Sequence, residues 1–418
     1  MQWYREHKPQ GWAKKKLSHI IMVSNEWKLS PEKKKEILLN NIFGVDIDAQ
    51  AVEVTKLSLH LKLLEEENQL VNTSLPLPFD KRLLPDLGKN IQCGNSLIGS
   101  DYFEGPIGVN EKDRLTVNPF DWNNAFKDVF DKGGFDVVIG NPPYLRIQGL
   151  QENYGNQIEY FAKLYKSAVK RFDFYLLFAE RGFKLLKNDG NLGFICPHKF
   201  LNSDFGSGLR NFLVENESLK TFISFGNNLI FEQVSTYTGL LFIQRSLSKM
   251  FRYFEFENMP RKKIPEVLEK LSNDAYTNYM IKNFSAEPWI LTKKNAPSIL
   301  QVLARQPQTL EDVCDEILVG IQAGIDNIHL MKFEKKGSNN SVFLFSDRAN
   351  EIVEIETRLV KPIIRGEDVK RYELPHNTYF CIYPYELVDG KTKIIEEKEL
   401  KEKFPKGYAY LKKYQKEL

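Results

Sequence analysis

Through the first 250 residues, stretches with apolar positions every three or four residues alternate with short, continuous apolar runs. The first kind predicts amphipathic helix and the second predicts buried strand. Ser30, Pro31 and the following EKKKEILLNN supply an N-cap, a first-turn proline and a helix. IFGVDID then reads as a short strand ending in two carboxylates, Asp46 and Asp48. Asp48 is placed to cap a second helix, whose apolar stripe is Ala51, Val54, Leu57, Leu61 and Leu64. A proline-rich connector, LPLPFDKRLLPDLGKN, leads to another strand candidate, IQCGNSLIG. Residues 101–134 are irregular apart from a short helix around AFKDVF. The run FDVVIG predicts a strand, residues 158–187 one or two helices closed by KNDG, and NLGFICP the next strand.

Strands alternating with helices imply β-α-β units and a mostly parallel sheet, so the expected class is α/β. LKTFISFG and YTGLLFIQRS predict two strands joined by a loop, a pair that finishes such a sheet with an antiparallel edge. Over 248–304 the pattern loosens and charge rises, as in RKKIPEVLEK, which reads as a connector. From about residue 308 the texture changes to β-prone pieces and turns: EILVGIQAGIDNIHLM, NSVFLF, RLVKPIIRGEDVKRY and YFCIYPYE. The expected organisation is a first domain at 1–247, a connector at 248–304 and a separate mixed α+β domain at 305–418.

Composition narrows the class without naming a function. A hydrophobic fraction of 42% and a charged fraction of 27% are those of an ordinary globular protein. Net charge is +3, which permits a nucleic-acid partner and does not demand one. Cys93, Cys196, Cys314 and Cys381 lie far apart with no C-x-x-C pair, and the six histidines show no ligand spacing. They imply reduced thiols, a cytoplasmic setting and no metal site. No apolar stretch approaches the length of a membrane span, and the basic N-terminus lacks the apolar core of a signal peptide.

Candidate chemistry lies at the ends of the strands, because an open parallel sheet binds ligands outside the carboxyl ends of its strands. Asp46 follows one strand and has the position to accept hydrogen bonds from a ribose, with Ile47 beside it for an adenine ring; as a plain structural residue it would only cap a helix. Asn95 and Ser96 end the second strand, where Gly-Asn is also an ordinary turn. Asn141-Pro142-Pro143-Tyr144 ends the third. Proline lacks an N–H and fixes φ, so this doublet makes a stiff loop. An exocyclic amine on a heteroaromatic ring is a poor nucleophile, since its lone pair is delocalised into the ring. Two acceptors on its two hydrogens localise that pair. The Asn141 side-chain oxygen and the Pro142 carbonyl suit this task, and the proline link holds them in place. Tyr144 offers a face for a base that has been flipped out of a duplex.

These motifs resemble the γ-class adenine-N6 DNA methyltransferases of restriction–modification systems, especially the methylase half of fused restriction–methylation enzymes with a Taq-type specificity domain. The resemblance runs from about residue 36 to 418. It implies a Rossmann-like methyltransferase sheet followed by a target-recognition domain. It further implies S-adenosylmethionine as cofactor, double-stranded DNA as substrate, and a nuclease domain or subunit upstream. ILLNNIFGVDIDAQAVEVTKLSLHLKLLE is similar to the family's second motif, in which Asp46 would hold the cofactor ribose and Ile47 its adenine. IQCGNSLIG is similar to the third, with Asn95 where the family usually has Asp. Asn141 to Tyr144 match the catalytic fourth motif. FDFYLLFAERGFKLLKNDGNLGFICPHKFL resembles the fifth and sixth. FGNNLIFEQVSTYTGLLFIQR resembles the eighth, in which Phe231 would pack on the flipped base. As a plain structural residue, Phe231 would lie in the core. RLVKPIIRGEDVKRYEL is similar to the signature of Taq-type specificity domains, making Lys361, Arg365, Lys370 and Arg371 candidate DNA contacts; a solvated basic loop is the plainer reading.

The family's first motif, a glycine-rich loop around the methionine end of the cofactor, has no match before FGVDID, and residues 1–35 look like the insert that follows it. The expectation is therefore a fragment of a larger protein, incomplete at both ends of its two domains. Such a chain would bind S-adenosylmethionine weakly or not at all alone. Two alternatives stay open: methylation of a glutamine amide, which the same acceptor pair would serve, and a non-catalytic DNA-recognition subunit.

Overall fold

The computed structural model describes residues 19–23, 26–64, 84–104, 111–145, 151–231, 236–291, 306–316, 320, 326–338, 340–374, 378–388, 391–415 and 417. They form two compact units, Met1–Arg305 and Gln306–Leu418.

In the first unit, a hairpin of β1 (Ile20–Val23) and β2 (Glu26–Leu29) precedes helix α1 (Pro31–Asn41). Ser30 Oγ accepts from Lys33 N at 3.2 Å, so the N-cap expected from the sequence is made. Strand β3 (Gly44–Asp46) is followed by α2 (Ala49–Leu64), which Asp48 caps by accepting from Gln50 N at 2.8 Å. Strand β4 (Ile91–Cys93) pairs in parallel with β3, Asp46 opposite Cys93. Strand β5 (Phe135–Gly140), helix α3 (Gln151–Leu164), helix α4 (Phe174–Leu185) and strand β6 (Leu186–Pro197) complete a parallel β-α-β unit. After α5 (Ser207–Glu215) come β7 (Leu219–Ser224) and β8 (Thr238–Gln244), antiparallel to each other as expected.

The strands from 248 onward differ from the sequence reading. Residues 248–304, read as a connector, contribute β9 (Met250–Glu255) and β10 (Thr277–Met280) to the main sheet, whose order is β10-β9-β7-β8-β6-β5. The β7–β8 pair therefore lies inside the sheet rather than at its edge. Short strands carrying Arg252, Glu255 and Asn278 lack the apolar run that marks a buried strand, so only tertiary pairing reveals them. Ile281 and Trp289 from the same segment are buried in the main core with α4, α5 and the sheet.

Helix α4 lies close against the sheet because Gly182 has no side chain there: a Cβ at that position would collide with Leu192 and meet Val138 and Phe194. Tyr175, Leu176 and Leu177 on this helix are fully buried against Leu192, Phe194 and Cys196 of β6. The other expected helix face is not buried. Val54, Leu57 and Leu61 of α2 are exposed, whereas Val52 and Leu63 are the residues packed inward. Strand β5 also departs from expectation, with Val137 exposed and Ile139 81% exposed. An edge cluster of aromatic rings ties the two halves together: Phe43, just before β3, stands 5.8 Å from Phe135 at the start of β5 and 5.3 Å from Phe126.

In the second unit, β11 (Leu330–Lys336), β12 (Ser341–Ser346), β13 (Glu351–Glu356), β14 (Val360–Ile363) and β15 (Tyr379–Ile382) form an antiparallel sheet of order β13-β12-β11-β15-β14. A hairpin of β16 (Tyr385–Val388) and β17 (Lys391–Ile394) precedes helices α6 (Glu397–Lys403) and α7 (Pro405–Lys413). Glu356 fixes the start of α7 by accepting from Lys406 N and Gly407 N at 2.8 and 3.0 Å. Leu400, Phe404 and Tyr410 pack with Val342, Leu344 and Ile355 of the sheet. Much of EILVGIQAGIDNIHLM, read as β-prone, lies outside the described residues.

Arg210 is the buried cation that pins this fold. Its guanidinium donates to the carbonyls of Phe200 (2.6 Å), Ser203 (2.7 Å) and Ala286 (2.6 and 2.9 Å). Three carbonyls from two distant segments thus share one side chain. Replacing Arg210 with Met leaves those carbonyls buried and unpaired, and we expect a loss of about 3 kcal/mol in unfolding free energy by urea titration. A change below about 0.5 kcal/mol would show that the segment around 286 is not held through this residue.

Candidate active site

Strand β5 delivers Asn141 directly past its last paired residue, Gly140, which stands opposite Phe194 of β6. Asn141 and Pro143 are exposed, Pro142 is buried and Tyr144 is half-buried. The loop has few backbone donors of its own, so it is anchored from outside. The Tyr144 hydroxyl donates to the Asn141 side-chain oxygen at 2.7 Å and lies 3.3 Å from the Ile195 carbonyl on β6. One residue on, the Leu145 carbonyl accepts from Phe174 N at the start of α4, at 3.1 Å. Among the described residues, no backbone amide donates to the Pro142 carbonyl.

The Tyr144 bond decides which way the Asn141 amide faces. A hydroxyl that donates requires the carbonyl oxygen, not the NH2, on its side. Oxygen has a second lone pair, which stays available. Burial raises the Tyr144 phenol well above its ordinary value, so the hydroxyl remains a donor throughout the neutral range. The Tyr144 ring is 6.5 Å from both Tyr175 and Phe231, in edge contacts at 81° and 61°. Phe231 is half-buried at the described end of its loop. A base lying flat on Tyr144 would need Phe231 to turn, since parallel stacking on both rings is incompatible with the observed angle.

The other strand ends form a second group. Asp46, Ile47 and Asp48 are exposed. Asp46 Oδ1 accepts from Asp48 N at 2.8 Å, which holds the carboxylate at the strand end. Asn95 is half-buried, and its side-chain oxygen accepts from Leu97 N at 3.1 Å. The turn reading of Asn95 is thus made, with one lone pair of that oxygen remaining. Ser96 presents its backbone carbonyl to the Trp122 indole at 3.0 Å. An exposed carboxylate that can accept from a ribose diol, beside an exposed apolar side chain that can pack on an adenine ring, fits the two ends of an adenosine.

His198 is absent from the residues that the sequence marks. It follows Pro197 at the end of β6, three residues after the carbonyl that Tyr144 approaches, with Nδ1 3.1 Å from Ser224 Oγ and its ring 6.0 Å from Tyr237. Burial lowers its pKa and keeps the imidazole neutral. The only hint in the sequence is a strand ending in Pro-His, which is too weak to separate it from other histidines.

The four cations expected to touch DNA lie in the second unit and differ in their surroundings. Lys361 on β14, Lys370 and Arg371 are exposed. Arg365 is half-buried, its guanidinium 3.6 Å from the centre of the Tyr379 ring and paired with Asp368 at 3.4 Å.

Comparison with known proteins supplies the family. Residues 40–231 match the model of the Eco57I restriction-modification methylase family. The type II restriction enzyme and methyltransferase RM.Eco57I of Escherichia coli is 33% identical over 405 residues, which is 95% of this chain and 38% of that protein. The type II methyltransferase M.BstVI of Geobacillus stearothermophilus is 23% identical over 293 residues, covering 66% of this chain and 49% of its own. Among solved structures, a DrdV–DNA complex matches 64% of this chain and 26% of that one, with 15% identity and a TM-score of 0.45. The chain thus spans less than half the length of these curated relatives. The matched segment begins just before β3 and ends at Phe231, so it holds both groups of strand-end residues, and over that segment the chain belongs with the Eco57I restriction-modification methylase family.

Proposed function

We propose that this chain is the methylating and target-reading part of a restriction–modification enzyme that methylates adenine N6 in double-stranded DNA. The observation that carries the reading is the exposed Asn141 amide at the end of β5, its oxygen oriented by the Tyr144 hydroxyl at 2.7 Å. Asn141 Oδ1 and the Pro142 carbonyl accept from the two hydrogens of a flipped-out amine and draw its lone pair onto nitrogen. Tyr144 gives the base a stacking face, and Phe231 covers it after turning. Bound S-adenosylmethionine supplies an electrophilic methyl group on a sulfonium centre. Asp46 would hold its ribose, Ile47 its adenine, and Asn95 with Ser96 the rim of that pocket. The amine loses its proton after transfer, so the loop works without a strong base. Lys361, Lys370 and Arg371 serve as phosphate contacts in this reading.

Exposed Val137 and Ile139 on β5, with exposed Val54, Leu57 and Leu61 on α2, support a further statement about the cofactor. β5 is the terminal strand of its sheet and β3 pairs only with β4 among the described residues. We infer that further polypeptide, carrying the glycine-rich loop, covers this apolar surface and completes the cofactor pocket.

Two measurements test the reading. Expressed in a host without adenine methylation, the natural protein to which this chain belongs should deposit N6-methyladenine measurable by nucleoside mass spectrometry. Asn141→Ala should reduce it at least a hundredfold with folding intact. Methylation unchanged by that substitution would end the proposed role of the loop. Separately, calorimetric titration of the 418-residue chain with S-adenosylmethionine should give no binding tighter than about 100 μM, equivalent to about 5.5 kcal/mol. Micromolar binding would mean that the pocket is already complete.

A further inference from the structure

Between β14 and β15 the chain makes a loop whose base and tip are built differently. At the base, Arg365 donates its backbone N–H to Asp368 Oδ2 at 2.9 Å, and its guanidinium bonds both oxygens of the same carboxylate at 3.4 Å. The same guanidinium lies over Tyr379 of β15, ring centroid at 3.6 Å. These contacts, with the Arg365 cation holding the Asp368 carboxyl below its ordinary range, tie the loop to the neighbouring strand. Arg365 is thereby occupied within its own unit.

The tip is the opposite. Val369, Lys370 and Arg371 are exposed, Leu374 is exposed, and Tyr372 is 93% exposed. Tyr372 also has φ of +61°, the left-handed region that bulky side chains avoid. No other aromatic residue among those described does so. Exposing a whole phenol ring forgoes its burial, and holding it in a disfavoured backbone region costs more again. Among the described residues, this tip makes a long turn bond from Glu373 N to the Lys370 carbonyl at 3.4 Å and a contact with the neighbouring Arg371 guanidinium, and neither buries the ring. The Arg371 guanidinium lies 5.2 Å from the ring centre, so the ring and two cations project together.

We propose that Tyr372 is a stacking wedge for duplex DNA, with Lys370 and Arg371 on the flanking phosphates and Arg365 as the positioning residue that fixes the loop. This rests on the DNA reading proposed above and gives it a residue that does something other than neutralise charge. Two adjacent cations fit the phosphate spacing of one strand, and an exposed ring between them and Leu374 fits a partly unstacked base step. A ring inserted at a step should prefer DNA already unstacked there.

The test measures binding of the full chain, by fluorescence anisotropy across a salt series, to a 40-base-pair duplex and to the same duplex with one central abasic site. The wild type should bind the abasic duplex roughly tenfold tighter. Tyr372→Phe should keep that preference, while Tyr372→Ala and Tyr372→Gly abolish it without changing the salt slope. Lys370→Ala and Arg371→Ala should each lower the slope by about one. Tyr372→Gly should also raise the thermal unfolding midpoint, because glycine accepts the positive φ freely, whereas a tyrosine kept only for structure would lower it. Arg365→Lys should lose the preference along with Tyr372→Ala. If the wild type binds DNA but Tyr372→Ala keeps the preference, the wedge is wrong and the DNA reading survives. If no form binds DNA at all, both fall.

Discussion

A strand that runs into two prolines cannot be carried further by its own ladder, and the candidate site depends on that constraint. Proline donates no backbone hydrogen bond, so beyond Gly140 the position of the loop comes from outside it. Strand β6 supplies the Ile195 carbonyl near the Tyr144 hydroxyl, and α4 supplies the Phe174 N–H to Leu145. Both contacts originate in one β-α-β unit, the part of the first domain with the most buried side chains. Acceptors are thereby left over at the end of β5, where the proposed methyl transfer uses them. A loop with ordinary residues in place of the prolines would have donors of its own, and would be free to turn those acceptors inward.

The same economy explains why the sheet is open beside β5. Burying one aliphatic side chain contributes about 1.5–3 kcal/mol, so the exposed Val137, Ile139, Val54, Leu57 and Leu61 forgo a sum that a natural fold does not usually leave unused. The first unit holds its form regardless, because the ring cluster of Phe43, Phe126 and Phe135 joins β3 to β5 at one end. Aromatic rings have the reach to make these contacts while Val137, Ile139, Val54, Leu57 and Leu61 stay exposed.

The sequence makes local features legible and leaves tertiary ones hidden. Ser30 and Asp48 cap helices where their side chains were expected to, since capping is settled within three residues. FDVVIG is a strand over its whole length, and the Asn-Pro-Pro-Tyr loop follows it. The periodicity of the α2 stripe is correct, yet Val54, Leu57 and Leu61 face solvent, because periodicity finds an apolar face without saying whether anything covers it. β9 and β10 escape the sequence reading for the converse reason: short strands interrupted by polar residues have no unbroken apolar run, and only the register of β9 with β7 and of β10 with β9 makes them part of the sheet.

Arginine shows most clearly where composition stops being informative. Arg210, Arg365 and Arg371 are the same residue in stretches of similar texture, and a basic patch would count all alike. Arg210 is buried and spends every bond on carbonyls, since a guanidinium removed from water has to be paired. Arg365 is half-buried and divided between an acid and a ring. Arg371 is exposed beside a ring that is itself exposed. The order of burial is the order in which these cations are committed to the fold, and their availability to a polyanion runs the other way. Reading a target surface from basic residues therefore requires subtracting those that the fold has already used, and only the last of the three remains.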